Sequence, residues 1–209
     1  MSLVLVSAPS VYPVSLAEAK AHLRIDHDDE NDLIEGLIAA ATMNIDGENG
    51  WLGRALITQT WNLYLDCFPC RPHECDFAKK YGIRVPLPPL QSIESIVYTD
   101  NLGAETTLAA DQYQIKKGEN GVILPAFGTS WPQTRAVSDA VKVNFVAGYE
   151  PTAASPTDYA DSVPQPIKQS VLLTVGHWYE NRVPVVVGSS VAELPMSAQY
   201  LLNPLRVWA

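Results

Sequence analysis

Cys67-x-x-Cys70-x-x-His73-x-Cys75 places thiolates and an imidazole within one short segment, the ligand types that zinc takes in structural sites. Such sites usually draw two ligand pairs from separated segments, whereas a single tight loop would have to supply all four here. His73 and Cys75 are two residues apart and need a special bend to turn inward together. The cluster reads as a surface β-loop carrying free thiols, with no cofactor. The alternative is a zinc-binding regulatory or interaction module using Cys67, Cys70, His73 and Cys75. A second group, His22 and His27 around Asp26, Asp28, Asp29 and Glu30, offers carboxylates for a metal. It lacks the glycine and distal glutamate of a calcium loop, and reads as a solvated helix–helix turn. The third group, His177, Tyr179, Glu180 and Arg182, falls at the end of a helical pattern, where His177 and Glu180 could pair across three residues. A dyad needs a nucleophile, and none of the nucleophile, phosphate-loop or metalloprotease motifs occurs. The chain reads as a non-enzyme.

The elements that position these groups follow from apolar spacing. Ser15 followed by Glu18 is a capping box, and Leu16, Ala19 and Leu23 continue at helical spacing. Asp26 to Asp29 breaks this helix and puts negative charge at the start of the next. There Leu33, Ile34, Leu37, Ile38, Ala41 and Ile45 form an apolar stripe, closed by Gly47 and Gly50. Alanines 39, 40 and 41 permit close helix–helix approach. From Ile57 the pattern turns to alternation with β formers, through Leu65. Pro86, Pro88 and Pro89 exclude a helix. Further strands are read at 91–99, 106–108, 113–117, 121–124 and 140–146, with Asp100-Asn101-Leu102-Gly103 as a hairpin turn. Residues 150–164 read as a loop or linker. Pro164 and Pro166 then open a helix carrying Ile167, Val171, Leu172, Val175 and Trp178 and ending near Asn181. Val185 to Val191 reads as a short strand or loop, and Pro195 opens a last helix through Leu202.

Helices, then strands, then helices give an α+β class: N- and C-terminal helices packed together as a small bundle, with an antiparallel β unit inserted between them. The expected parts are 1–52, N-terminal and helical; 53–150, rich in β-strand; and 151–209, a linker and C-terminal helices completing the bundle. The bulk numbers fit a chain with a real core: 209 residues, 47% hydrophobic and 18% charged. The formal net charge of −9 repels nucleic acid as a whole. Three clustered cysteines point to a reducing cytoplasm rather than a disulfide framework. Met1 to Ser10 is apolar without a basic flank, and no segment approaches a membrane span. Tryptophans 51, 61, 131, 178 and 208 read as core or interface anchors, with Trp208 free to dock on a neighbour.

Several phrases in order carry a resemblance. They are Tyr12-Pro13-Val14-Ser15-Leu16-Ala17-Glu18-Ala19-Lys20, Asp32-Leu33-Ile34 with Ile38-Ala39-Ala40-Ala41, and Gly53-Arg54-Ala55-Leu56-Ile57-Thr58-Gln59-Thr60-Trp61. Later come Leu87-Pro88-Pro89-Leu90, Ala147-Gly148-Tyr149, Val163-Pro164-Gln165-Pro166-Ile167 and His177-Trp178-Tyr179-Glu180. The chain resembles the head–tail connector (adaptor, head-completion) family of long-tailed bacteriophages and prophages. It departs from the family at Leu87, where an arginine is common, and in a longer segment from Cys67 to Tyr81. The resemblance implies a structural virion protein made in the host cytoplasm. It implies a homo-oligomeric ring of about twelve copies below the portal protein, closed by head-to-tail contacts. Such a ring extends the DNA channel without sequence-specific binding and gives stopper or tail-completion proteins a platform, with no membrane involved. On this reading the apolar C-terminal tail meets the portal, and its candidate partner-binding residues are Leu201, Leu202, Arg206 and Trp208.

Overall fold

The computed structural model describes residues 1–69, 81–152, 159, 162–181 and 196–208. The class is the expected one, helices together with antiparallel sheets. The chain divides into a β unit, Met1–Pro9 with Thr58–Tyr149, and a helical unit, Ser10–Ile57 with Glu150–Ala209.

In the β unit, a five-stranded sheet is built from β1 (Ser2–Ser7), β2 (Gln59–Leu65), β4 (Leu90–Thr99), β5 (Glu105–Thr107) and β8 (Val141–Ala147). Its order is β1-β2-β8-β4-β5, and every pair is antiparallel. β8 lies at the centre because it has the strictest alternation: Val141, Val143, Phe145 and Ala147 are buried, and the residues between them are half-buried. Trp61 faces Phe145 and Leu63 faces Val143 across the β2–β8 ladder, while Ile93 and Ile96 meet the same two residues from β4. Two irregularities in β4, between Leu90 and Ser92 and between Ile93 and Ser95, break its alternation and leave Ile96 fully buried. A second sheet, ordered β3-β7-β6, joins β3 (Ile83–Arg84), β6 (Tyr113–Lys116) and β7 (Val122–Pro125).

The strands read from alternation lie where the spacing put them, within a residue or two. β1 and β3 are additions. The sequence reading kept Met1–Ser10 with the helical part, but Ser2 to Ser7 pair with Tyr64 to Thr60 on the outer edge of the large sheet. The helical unit accordingly starts at Ser10. The β1 pattern was hidden because the strand is exposed on both faces, so no apolar–polar alternation marks it.

The helical unit contains α1 (Leu16–Leu23), α2 (Asn31–Met43), α3 (Gln165–Glu180) and α4 (Met196–Leu202). α1 starts at the expected capping box: the Ser15 hydroxyl accepts from the Glu18 amide, and Glu18 accepts from the Ser15 amide. It ends on Arg24 in the left-handed region, φ 58°. α2 has no side-chain cap. Asp28 accepts instead from Lys20 at 2.6 Å and from the Asn31 amide side chain, so the acidic turn is a folded corner. α3 begins with Pro164 at its cap and Pro166 in its first turn. It is the hub of the unit, packing against α1, α2 and α4. Ile167, Val171 and Val175 fill the core from one face. Ser170 and Thr174 are buried too, and each donates its hydroxyl to a carbonyl one turn back. Lys168, 5% exposed, donates to the Glu18 carboxylate on α1 at 3.2 Å.

Candidate docking site

Among the candidate ligands of the cysteine cluster, Cys67 is exposed, while Cys70, His73 and Cys75 lie outside the described residues. Among the described residues, no group of three or more His, Cys, Asp or Glu side chains is placed to hold a metal ion. In the acidic corner Asp28 is bonded internally: its carboxyl is held below its ordinary range by the Lys20 and Asn31 hydrogen bonds and by the Lys20 charge. His27 lies 3.8 Å from Asp29, and both are largely exposed. His177 and Glu180 are exposed on the last turn of α3, and the Asn181 amide closes that turn on the His177 carbonyl at 2.9 Å. Tyr179 donates to Glu30, joining the end of α3 to the start of α2. These groups finish helix ends, and Arg182 lies outside the described residues.

The C-terminal residues are more informative. α4 buries Ala198 and Leu202 completely, so Leu202 belongs to the helical core and cannot present itself to a partner. Leu201 is half-buried. A short 3-10 turn, Asn203–Leu205, redirects the chain. The Val207 amide then donates to the Leu52 carbonyl at 2.9 Å. Gly53 stands beside this bond at φ +64°, and a Cβ there would lie 3.3 Å from the Val207 carbonyl oxygen. Both the backbone angle and the close approach favour glycine. The Arg206 guanidinium sits 4.4 Å from the centre of the Trp51 ring and 4.3 Å from that of Trp208. The cation between two rings orders the last residues, at about 0.5–1 kcal/mol per contact for an exposed pair. Trp208 remains 73% exposed and Val207 lies beside it at the surface. The Trp208 ring thus has the Arg206 cation against it while most of its surface stays in water.

Sequence reasoning named Trp208 and Arg206 but not the contacts that Trp51 and Gly53 make with the tail. The signal for those two is Trp51-Leu52-Gly53 just after α2, which has no meaning until the tail is seen lying on it. In the β unit, a cleft lined by Cys67, Phe68, Tyr81, Asn101 and Trp131 was also missed. There Phe68 stacks on Trp131 with ring centres 4.8 Å apart, and Trp131 Nε1 donates to the Tyr81 carbonyl.

Residues 13–68, which span α1, α2 and β2, match the model of the phage gp6-like head-tail connector protein family. The family read from the ordered phrases is thus found again by its own model over this part of the chain. The whole fold is similar to a chain in the neck of an empty gene transfer agent (GTA) particle computed with C6 symmetry, with TM-score 0.72 and 20% identity. It is similar to a chain in the virion of the native GTA particle, with TM-score 0.72 and 22% identity. A chain in the neck of the native particle computed with C12 symmetry gives TM-score 0.66 and 20% identity. Each likeness covers 100% of this chain and 97% of the other. No curated protein matches the sequence.

Proposed function

We propose that the chain is a structural, non-enzymatic connector subunit that assembles into a ring at the head–tail junction of a phage-like particle. The observation that carries this reading is the match of residues 13–68 to the head-tail connector family. The full-length likeness of the fold to chains from GTA necks supports it, and the C6 and C12 symmetries of those necks are those of rings. The charge distribution supports it as well. The helical unit holds fourteen acidic and six basic residues, a net of −8, against nine and eight, a net of −1, in the β unit. An acidic ring lets DNA pass without holding it. Trp208, Arg206 and the exposed part of Leu201 form the portal-facing contact, and the ring's other side receives a stopper or tail-completion protein.

A stop codon early in this gene, in the phage or prophage that carries it, tests the role. Electron microscopy of the lysate is expected to reveal DNA-filled heads without tails beside free tails. Normal tailed particles would contradict the reading.

A further inference from the structure

Helix α2 carries more apolar surface than its own fold covers. Ile34, Ile38 and Ala41 point inward and are at most 2% exposed. Leu33, Leu37, Ala40 and Met43 recur at four, three and three residues, so they form a second stripe along the helix. Leu33 is 41% and Met43 75% exposed, Ala40 is exposed, and Leu37 is half-buried. Gly36 beside them has nothing within 4 Å of where a Cβ would stand, so this face is open. A helix apolar on two sides belongs to a buried setting, and here one of the two sides stays largely exposed.

The charge pattern says what covers the rest. The helical unit has a net charge of −8, so a neighbour of the same kind is repelled wherever carboxylates face each other. From Gly36 to Ile45, between Glu35 and Asp46, no residue is ionisable. From Met196 to Leu205, before Arg206, no residue carries a charge at neutral pH. In that stretch Ser197, Tyr200 and Pro204 share an exposed face, and Tyr200 is 70% exposed. α2 and α4 both pack on α3 but have little contact with one another, so the two strips lie on different flanks of the same unit. A head-to-tail contact between identical chains joins two different surfaces, and two neutral strips on an acidic body meet with the least repulsion. A basic partner would instead be drawn to the Asp26–Glu35 corner.

We infer that the outer stripe of α2, Leu33, Leu37, Ala40 and Met43, receives the α4 face carrying Tyr200 from a second copy of this chain. The inference rests on the ring reading and gives the ring its interface. Tyr200 lies over the small residues Gly36 and Ala40, and Met43 supplies an adaptable side chain at the end of the groove.

Native mass spectrometry of the full chain, carried to its highest soluble concentration, tests this with two variants. Ala40→Glu damages the receiving strip and Tyr200→Glu the inserting one. Both positions are exposed, and circular dichroism checks that each variant is folded. The wild type is expected to form closed oligomers, and each variant alone to associate at least ten-fold more weakly. An equimolar mixture of the two variants still holds one intact strip of each kind, so it is expected to give heterodimers and nothing larger. Leu102→Glu, at a 92% exposed turn of the β unit, is expected to behave as wild type. Three results would overturn the inference: variants that close rings as the wild type does, a mixture that stays monomeric, or a wild type that never associates. The stop-codon phenotype is a separate readout, so an interface placed wrongly is distinguishable from a connector role assigned wrongly.

Discussion

The Ser15 hydroxyl accepts the Glu18 amide at 3.2 Å, and a Glu18 carboxylate oxygen accepts the Ser15 amide at 2.8 Å. This pair was legible in the sequence because it is local: cap and partner are three residues apart and depend on nothing else. Its third member was not legible, since Lys168 joins Glu18 from 150 residues away. Burial pushes the Glu18 carboxyl up, but the Ser15 hydrogen bonds together with the Lys168 bond and charge outweigh it, so the folded value lies below the ordinary 4.5. Stability from this group is therefore fully present above pH 4.5 and is lost as the pH falls through the lower folded value. Ser15→Ala is expected to destabilise the protein by about 1 kcal/mol in urea titrations at neutral pH. Glu18→Gln is expected to be less stable than wild type at pH 7, with the gap closing below pH 4.5. A gap that widens on acidification would contradict the assignment. Gly36 gives an opposite kind of test. It lies mid-helix with open space at its Cβ position, so Gly36→Ala is expected to raise monomer stability by roughly 0.5–1 kcal/mol.

At the scale of elements, the apolar periods placed α1, α2 and α3 and most strands, because each buries a face of its own. α2 is the instructive case. Its stripe of Leu33, Ile34, Leu37, Ile38, Ala41 and Ile45 looked like one face, yet only the isoleucines and Ala41 enter the core. Adjacent positions are separated by about 100° on a helix, so a stripe two residues wide reaches around its side. Periodicity reports that such residues are apolar, not which neighbour covers them. The edge strand β1 escaped for a related reason. Val4, Leu5 and Val6 are 48%, 43% and 54% exposed, and the strand carries neither lysine nor proline to guard its outer edge. Such an edge is open to pairing with other chains. Val6→Lys is expected to leave the melting temperature within a few degrees of wild type and to slow aggregation on mild heating, measured by light scattering. Unchanged aggregation would mean that association starts elsewhere.

On the scale of the whole molecule, the β unit takes up the chain's first residues and its middle, and the helical unit the two flanking stretches. The order helix–strand–helix revealed the insertion, since composition changes with it. Long-range closure was beyond the sequence: that the tail returns to Leu52 and that α4 completes the core appear only in three dimensions. This division within the tail can be measured. Leu202→Ala is expected to destabilise the helical unit by about 2–5 kcal/mol, as for other buried leucines. Trp208→Ala is expected to change stability by less than about 1 kcal/mol while abolishing co-sedimentation with portal assemblies. Equal losses of stability from both would remove the distinction between core and anchor.

A connector is defined by its place in a particle. Cryo-electron microscopy of tailed particles purified from the strain that carries this gene tests it most directly. The expected result is a closed ring of this chain between portal and tail, with the helical unit's acidic surface toward the DNA path. Particles with a fully resolved neck in which this chain is absent, or present only in the tail tube or capsid, would contradict it.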